Sequence, residues 1–151
     1  PPPPPPPPFY RTRPPPPSTR FGSSAASDVY KRQFECSAEH LWNILSDVSR
    51  CDWVPTINEM MLEDDCRIFE MEGMGKVKEK ILLLDNNLMK LQYSAIETRT
   101  PIDHHLATMQ ISKIDKDVCK LLWKTEIEPE IFAAAIHQGM LISIEGLKKV
   151  I

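Results

Sequence analysis

Glycine is scarce in this chain, five residues in 151, and none belongs to a loop of the kind that cradles a phosphate. Gly73-Met74-Gly75 reads as a hairpin turn, and nucleotide chemistry has no other candidate. The four cysteines, Cys36, Cys51, Cys66 and Cys119, form no C-x-x-C and no zinc-like pairing with histidine. They read as reduced, buried thiols of a cytoplasmic protein. His40 and His137 ride separate helical segments, so no metal or cofactor is expected. There is no nucleophile elbow and no pair of catalytic carboxylates. No apolar run approaches the ~18 residues of a membrane-spanning helix, and the N-terminus lacks the apolar core of a secretion signal.

Proline is abundant but badly distributed, with twelve of the fifteen lying within residues 1–17. Residues 1–33 carry five basic side chains and one acidic, a net of +4; the remainder carries thirteen against twenty, a net of −7. An acidic domain without basic runs is a poor partner for nucleic acid. The leader favours polyproline II, and Arg11, Pro14 and Pro17 fit an R-x-x-P-x-x-P ligand for an SH3-type groove. Ser24 to Gln33, however, resembles translated adaptor sequence found at the ends of environmental sequencing fragments. On that reading residues 1–33 are a disordered, non-native leader, 34–151 are one domain, and the native first strand is missing. Val29 to Cys36 could take that strand's place, beside the strand that holds Trp123.

From Phe34 on, the pattern is periodic. Ser37 caps a short helix over 38–45, with Leu41, Ile44 and Leu45 on one face. A second short turn holds Cys51 to Trp53. Six strand-like runs follow, over 57–63, 67–72, 76–84, 88–98, 104–114 and 118–127, divided by turn residues such as Asp64-Asp65, Asp85-Asn86-Asn87 and Asp115-Lys116-Asp117. Connections this short imply antiparallel neighbours. Pro129 then opens a long helix over 130–151.

Phe34-Glu35-Cys36-Ser37-Ala38-Glu39-His40-Leu41-Trp42 and Asp47…Trp53-Val54-Pro55 resemble the opening of the START-like SRPBCC superfamily, and within it the polyketide cyclase/dehydrase and lipid-transport branch. Arg67, Gly75, Glu79, Asp85, Tyr93, Pro101, Trp123 and Pro129 fall where that branch has such residues. The resemblance implies an α+β helix-grip fold. In it a curved antiparallel sheet of six to seven strands wraps a long C-terminal helix, two short helices follow the first strand, and a cavity lies between sheet and helix.

Strand parity shows which side chains face that cavity. Lys76, Lys78 and Lys80 share one face, so Val77, Glu79, Ile81 and Leu83 share the other. The same alternation turns Arg67, Phe69 and Met71 inward, with Tyr93, Met109 and Trp123. One arginine and one glutamate thus land on an apolar face, where each needs a partner. An odd-length hairpin loop sets Arg67 opposite Glu79, and another sets Glu79 opposite Tyr93, with Met109 and Trp123 completing a row across five strands.

The last helix carries a stripe of small residues, Ala135, Gly139, Ser143 and Gly146, flanked by Phe132, Ile136, Met140 and Leu147. Glycine inside a helix costs about 1 kcal/mol against alanine, so the two glycines need a reason: close approach to a neighbour, or room for a ligand. The expected ligand-binding residues are Trp53, Arg67, Phe69, Met71, Glu79, Tyr93, Met109, Trp123, Phe132, Ile136 and Met140. Trp53 and the Pro101 loop mark the expected portal.

The function expected is binding or transport of a hydrophobic small molecule or lipid by a monomer or weak dimer. The alternatives are a cyclase, aromatase or dehydratase with Glu79, Tyr93 or His105 as acid or base, His105 being within reach of Glu97, and a coenzyme-Q chaperone or regulatory partner-binding protein.

Overall fold

The computed structural model describes residues 25–151. The polyproline tract and its R-x-x-P-x-x-P pattern lie outside the described residues. Seven antiparallel strands form one sheet, in the order β1-β7-β6-β5-β4-β3-β2. They are β1 (Ala26–Phe34), β2 (Ile57–Glu63), β3 (Cys66–Met71), β4 (Gly75–Asp85), β5 (Lys90–Thr98), β6 (His104–Asp115) and β7 (Val118–Glu128). Two helices accompany them, α1 (Ala38–Ser46) between β1 and β2, and α2 (Ala133–Val150) after β7. This is the helix-grip arrangement: a curved α+β fold with the last helix held against the concave face of the sheet.

Two boundaries differ from expectation. The first strand runs over Ala26–Phe34, beginning and ending a little earlier than the 29–36 stretch expected to take its place. It pairs with β7 over its whole length, Tyr30 opposite Trp123, and alternates exposed and half-buried positions as a strand with one covered face should. The long helix starts later than Pro129 suggested. A 3-10 turn at Glu130–Phe132 comes first, and regular α-helical geometry begins at Ala133.

Local chemistry explains the elements. The Ser37 hydroxyl accepts from the His40 amide at 3.1 Å and caps α1. Leu41, Ile44 and Leu45 then fall on one buried face. The segment 47–56 makes consecutive hydrogen-bonded turns, Arg50 N to Asp47 O and Val54 N to Cys51 O, each 3.0 Å, rather than a second helix. In β7 the alternation is complete: Cys119, Leu121, Trp123, Thr125 and Ile127 are buried, and Lys120 and Lys124 exposed.

The core sits under one end of the concave face. Phe34, Leu41, Leu45, Leu91, Met109, Leu121, Ile144 and Leu147 are each 2 % exposed or less, joining β1, α1, β5, β6, β7 and the C-terminal half of α2. Burying a leucine of this kind is worth about 1.5–3 kcal/mol, so this cluster supplies much of the cohesion between helices and sheet. The Trp42 indole donates to Asn86 Oδ1 at 2.9 Å and ties α1 to the β4–β5 turn. All four cysteines are free, and burial pushes the Cys119 thiol up to about 12.

Candidate functional site

At the other end of the concave face the interior is hollow. β3 and β4 place Arg67 opposite Glu79, as parity required. Arg67 Nε donates to Glu79 Oε1 at 2.7 Å, and the two side chains are only 9 % and 12 % exposed. The guanidinium also lies over the Tyr93 ring, 4.5 Å from its centre. Burial works against the Arg67 charge, but Glu79 and Tyr93 outweigh it and hold the guanidinium above its ordinary value. Burial raises the Tyr93 phenol, and Glu79 raises it further, so the phenol keeps its proton.

The expected row across five strands is broken at the β4–β5 hairpin. Its turn leaves an even loop of four residues between Asp85 and Lys90 instead of an odd one, and one extra residue in each strand, Leu82 in β4 and Ile96 in β5, shifts the register further. Glu79 therefore faces Ala95, and Tyr93 faces Ile81. Arg67 reaches Tyr93 diagonally because its side chain is long enough to span the offset. Further along, Met109 does pair with Trp123, but opposite Leu91 rather than Tyr93.

His105 is held by the neighbouring strand. The β5–β6 ladder stops at Tyr93 opposite Ala107. Beyond it the side chains bridge the gap: the Ser94 hydroxyl donates to the His105 carbonyl, and the Ala95 amide donates to His105 Nδ1 at 2.8 Å. Because Nδ1 accepts, the ring proton sits on Nε2, and the ring is neutral. Burial lowers its affinity for a second proton, only partly opposed by Glu79. The carboxylate that acts on this ring is thus Glu79, not Glu97. His104 points the other way, to Glu126 at 3.2 Å.

Two adjoining lobes, with walls in common, occupy the hollow end. The first, of about 120 Å³, is walled by Trp53, Arg67, Phe69, Met71, Glu79, Tyr93, His105, Trp123, Ile136 and Met140 among others. The second, of about 230 Å³, lies nearer the Pro101 loop; Val77, Thr98, Arg99, Ile102, Ile127 and Phe132 line it, and Phe69, Met71, Met74, Glu79, His105, Ala135 and Ile136 are shared. Of the expected ligand-binding residues, Met109 alone lines neither lobe. It is 1 % exposed and belongs to the packed core, because β6 runs from the hollow end at His105 to the solid end at Ile111. Phe132 lines the second lobe only. Trp53, expected at a portal, is buried and packs edge-on against Trp123, with ring centres 6.1 Å apart.

Residues outside the expected ligand-binding set also form the walls, chiefly Thr125 and Ser143 with Met60 and Met74. Parity had already turned Thr125 inward, and Ser143 lies one helical turn from Gly139. The two helix glycines separate cleanly. A Cβ on Gly146 would meet the Trp53 carbonyl oxygen at 2.2 Å and Pro55 Cδ at 2.9 Å, whereas one on Gly139 would meet nothing within 4 Å. Gly146 permits close approach, and Gly139 borders the first lobe.

Among the described residues no group of three metal-ligating side chains converges, and no helix is long and apolar enough to cross a membrane. No protein-family model and no curated protein matches the sequence. Solved structures do match the fold. XoxI from Bacillus cereus superposes with a TM-score of 0.75 at 17 % identity, over 82 % of this chain and 94 % of that one. Truncated norcoclaurine synthase from Thalictrum flavum gives 0.72 at 18 %, over 87 % and 96 %. A solution structure from Thermobifida fusca gives 0.71 at 18 %, over 81 % and 90 %. At such identities the likeness is one of fold.

Proposed function

We propose that this protein is a carrier of a hydrophobic small molecule or lipid, held in the two-lobed cavity with its polar end at Arg67, Glu79 and Tyr93. The observation that carries this reading is a void with mainly apolar walls, built around a buried ion pair. Apolar burial would supply affinity at ~25 cal/mol per Å², less the cost of immobilising the ligand. The ion pair, satisfied within the protein, would supply orientation. The Pro101 loop, which lines the second lobe, is the proposed portal.

An enzyme of the cyclase, aromatase or dehydratase type is the second reading. It is favoured by the convergence of Glu79, Tyr93 and His105 on one void, and by the likeness to norcoclaurine synthase, which has been solved with dopamine and hydroxybenzaldehyde. Against it, the hydrogen bond from Ala95 to His105 Nδ1 leaves the other ring nitrogen protonated, a donor rather than a base.

Native mass spectrometry of the full chain expressed in cells tests the carrier. A co-purified lipid, quinone or aromatic is expected, and Glu79→Gln should retain most binding. A wild-type protein that converts its bound molecule, with turnover lost and binding kept in Glu79→Gln, would replace the carrier by the enzyme.

A further inference from the structure

Polar side chains on the wall of the first lobe outnumber their partners. Tyr93, His105, Trp123, Thr125 and Ser143 are each more than nine-tenths buried, and all line this lobe. Among the described residues, the hydroxyls of Thr125 and Ser143 make no hydrogen bond. Trp123 Nε1 is buried without a partner at hydrogen-bond geometry, and the Tyr93 phenol lies near enough to interact with it. His105 uses only Nδ1. Native interiors leave few buried polar groups unpaired, because each forfeits its hydration. These five come from β5, β6, β7 and α2, so no local turn accounts for them. Only the tertiary fold brings them to one void.

Their chemistry is selective. The indole N–H and the His105 Nε2–H can only donate, whereas the three hydroxyls can donate or accept. A ligand that brings an oxygen satisfies the first pair, and a ligand hydroxyl satisfies both kinds. Charge narrows the class further. The Arg67 guanidinium is already neutralised by Glu79 at 2.7 Å and covered on one face by Tyr93. An incoming carboxylate would place a second anion beside Glu79 in a poorly solvated site, which is unfavourable. The surrounding Trp53, Phe69, Tyr93 and Trp123 rings suit a flat ligand.

We infer that the first lobe is a socket for uncharged oxygen, taking phenolic or ketonic ring compounds and discriminating against carboxylates, fatty acids included. This rests on the carrier reading and specifies its ligand class. The test is calorimetric titration of the full chain at neutral pH with three probes of one shape: naphthol, naphthalene and naphthoate. Naphthol should bind about tenfold tighter than naphthalene, one good buried hydrogen bond's worth, and naphthoate should bind more weakly than naphthol by at least about the same factor. Thr125→Val and Ser143→Ala, which keep or nearly keep side-chain volume, should each lower naphthol affinity roughly threefold to tenfold and leave naphthalene unchanged. A merely structural role for the hydroxyls would alter unfolding but not that ratio. Naphthol no tighter than naphthalene, or naphthoate the tightest of the three, overturns the socket while leaving the carrier standing. If none of the three binds, the socket falls, and the carrier stands or falls on the co-purified molecule.

Discussion

The two ends of the concave face are made from the same strands and the same helix, yet one is solid and the other hollow. At the solid end β5, β6 and β7 turn Leu91, Met109 and Leu121 inward against Leu41, Leu45, Ile144 and Leu147, all nearly inaccessible. A few residues along those strands, the inward positions become Tyr93, His105 and Thr125. The facing stretch of α2 becomes Ala135, Gly139 and Ser143. Interiors pack to near-crystalline density where side chains can interdigitate; here small helix residues and polar strand residues keep them from doing so. The difference implies a division of labour, with cohesion at one end and a binding-competent void at the other.

The largest test of that division is Leu121→Ala. It should cost about 2–5 kcal/mol, as large-to-small changes in a packed core do, while leaving naphthalene affinity unchanged. Urea denaturation and the same calorimetry measure both quantities. If the two readouts moved together, the ends would be one unit and the comparison would fail.

Gly146→Ala comes next, at about 1–3 kcal/mol, the usual range for overpacking. Its Cβ would strike a backbone carbonyl 2.2 Å away, which cannot swing aside like a side-chain tip. A denaturation midpoint equal to wild type would show that the Trp53 loop is not held against α2.

A smaller effect should appear on acidification. The buried His105 is held neutral, with its proton affinity below the ordinary value of 6.5. The unfolded chain therefore binds a proton that the folded one resists, so this contribution is intact above about pH 6.5 and is lost progressively as pH falls through the depressed folded-state value. Urea midpoints followed down in pH should show the loss, and His105→Gln should flatten it. An unchanged slope in that variant would assign the loss to other groups.

Gly139→Ala should have the smallest effect and the opposite sign. Nothing lies within 4 Å of the added methyl, so helix propensity should stabilise the protein by up to about 1 kcal/mol, and the narrowed first lobe should weaken naphthalene binding. Destabilisation here would mean that the void is closed in solution.

Much of this was readable from the chain. Two-residue periodicity turned Arg67, Glu79, Tyr93, Trp123 and Thr125 inward, and hairpin arithmetic set Arg67 opposite Glu79. Parity, however, reports a face and not a position along it, so Met109 was grouped with the cavity although it lies in the solid end. The four-residue loop between Asp85 and Lys90 and the bulges at Leu82 and Ile96 carry no mark in the strand pattern, and together they set Glu79 opposite Ala95 instead of Tyr93. The two helix glycines look alike in sequence, and only the path of the Trp53 loop tells them apart. The start of β1 was obscured because composition near Ala26 speaks of the leader, while pairing with β7 decides the strand.

What the sequence determined alone is therefore periodic and local: strand faces, the Ser37 cap, the turns, the order of elements, and the presence of an arginine and a glutamate on an inward surface. Those follow from short-range sterics and from the cost of burying unpaired charge. What only the tertiary structure decided is where these faces meet. The β4–β5 turn and its bulges set the final register, the end of the β5–β6 ladder gave His105 Nδ1 to the Ala95 amide, and four elements distant in sequence brought the Trp123 indole, the Thr125 and Ser143 hydroxyls, Tyr93 and His105 to one void. Such convergence depends on contacts between residues far apart in the chain, which no local pattern encodes.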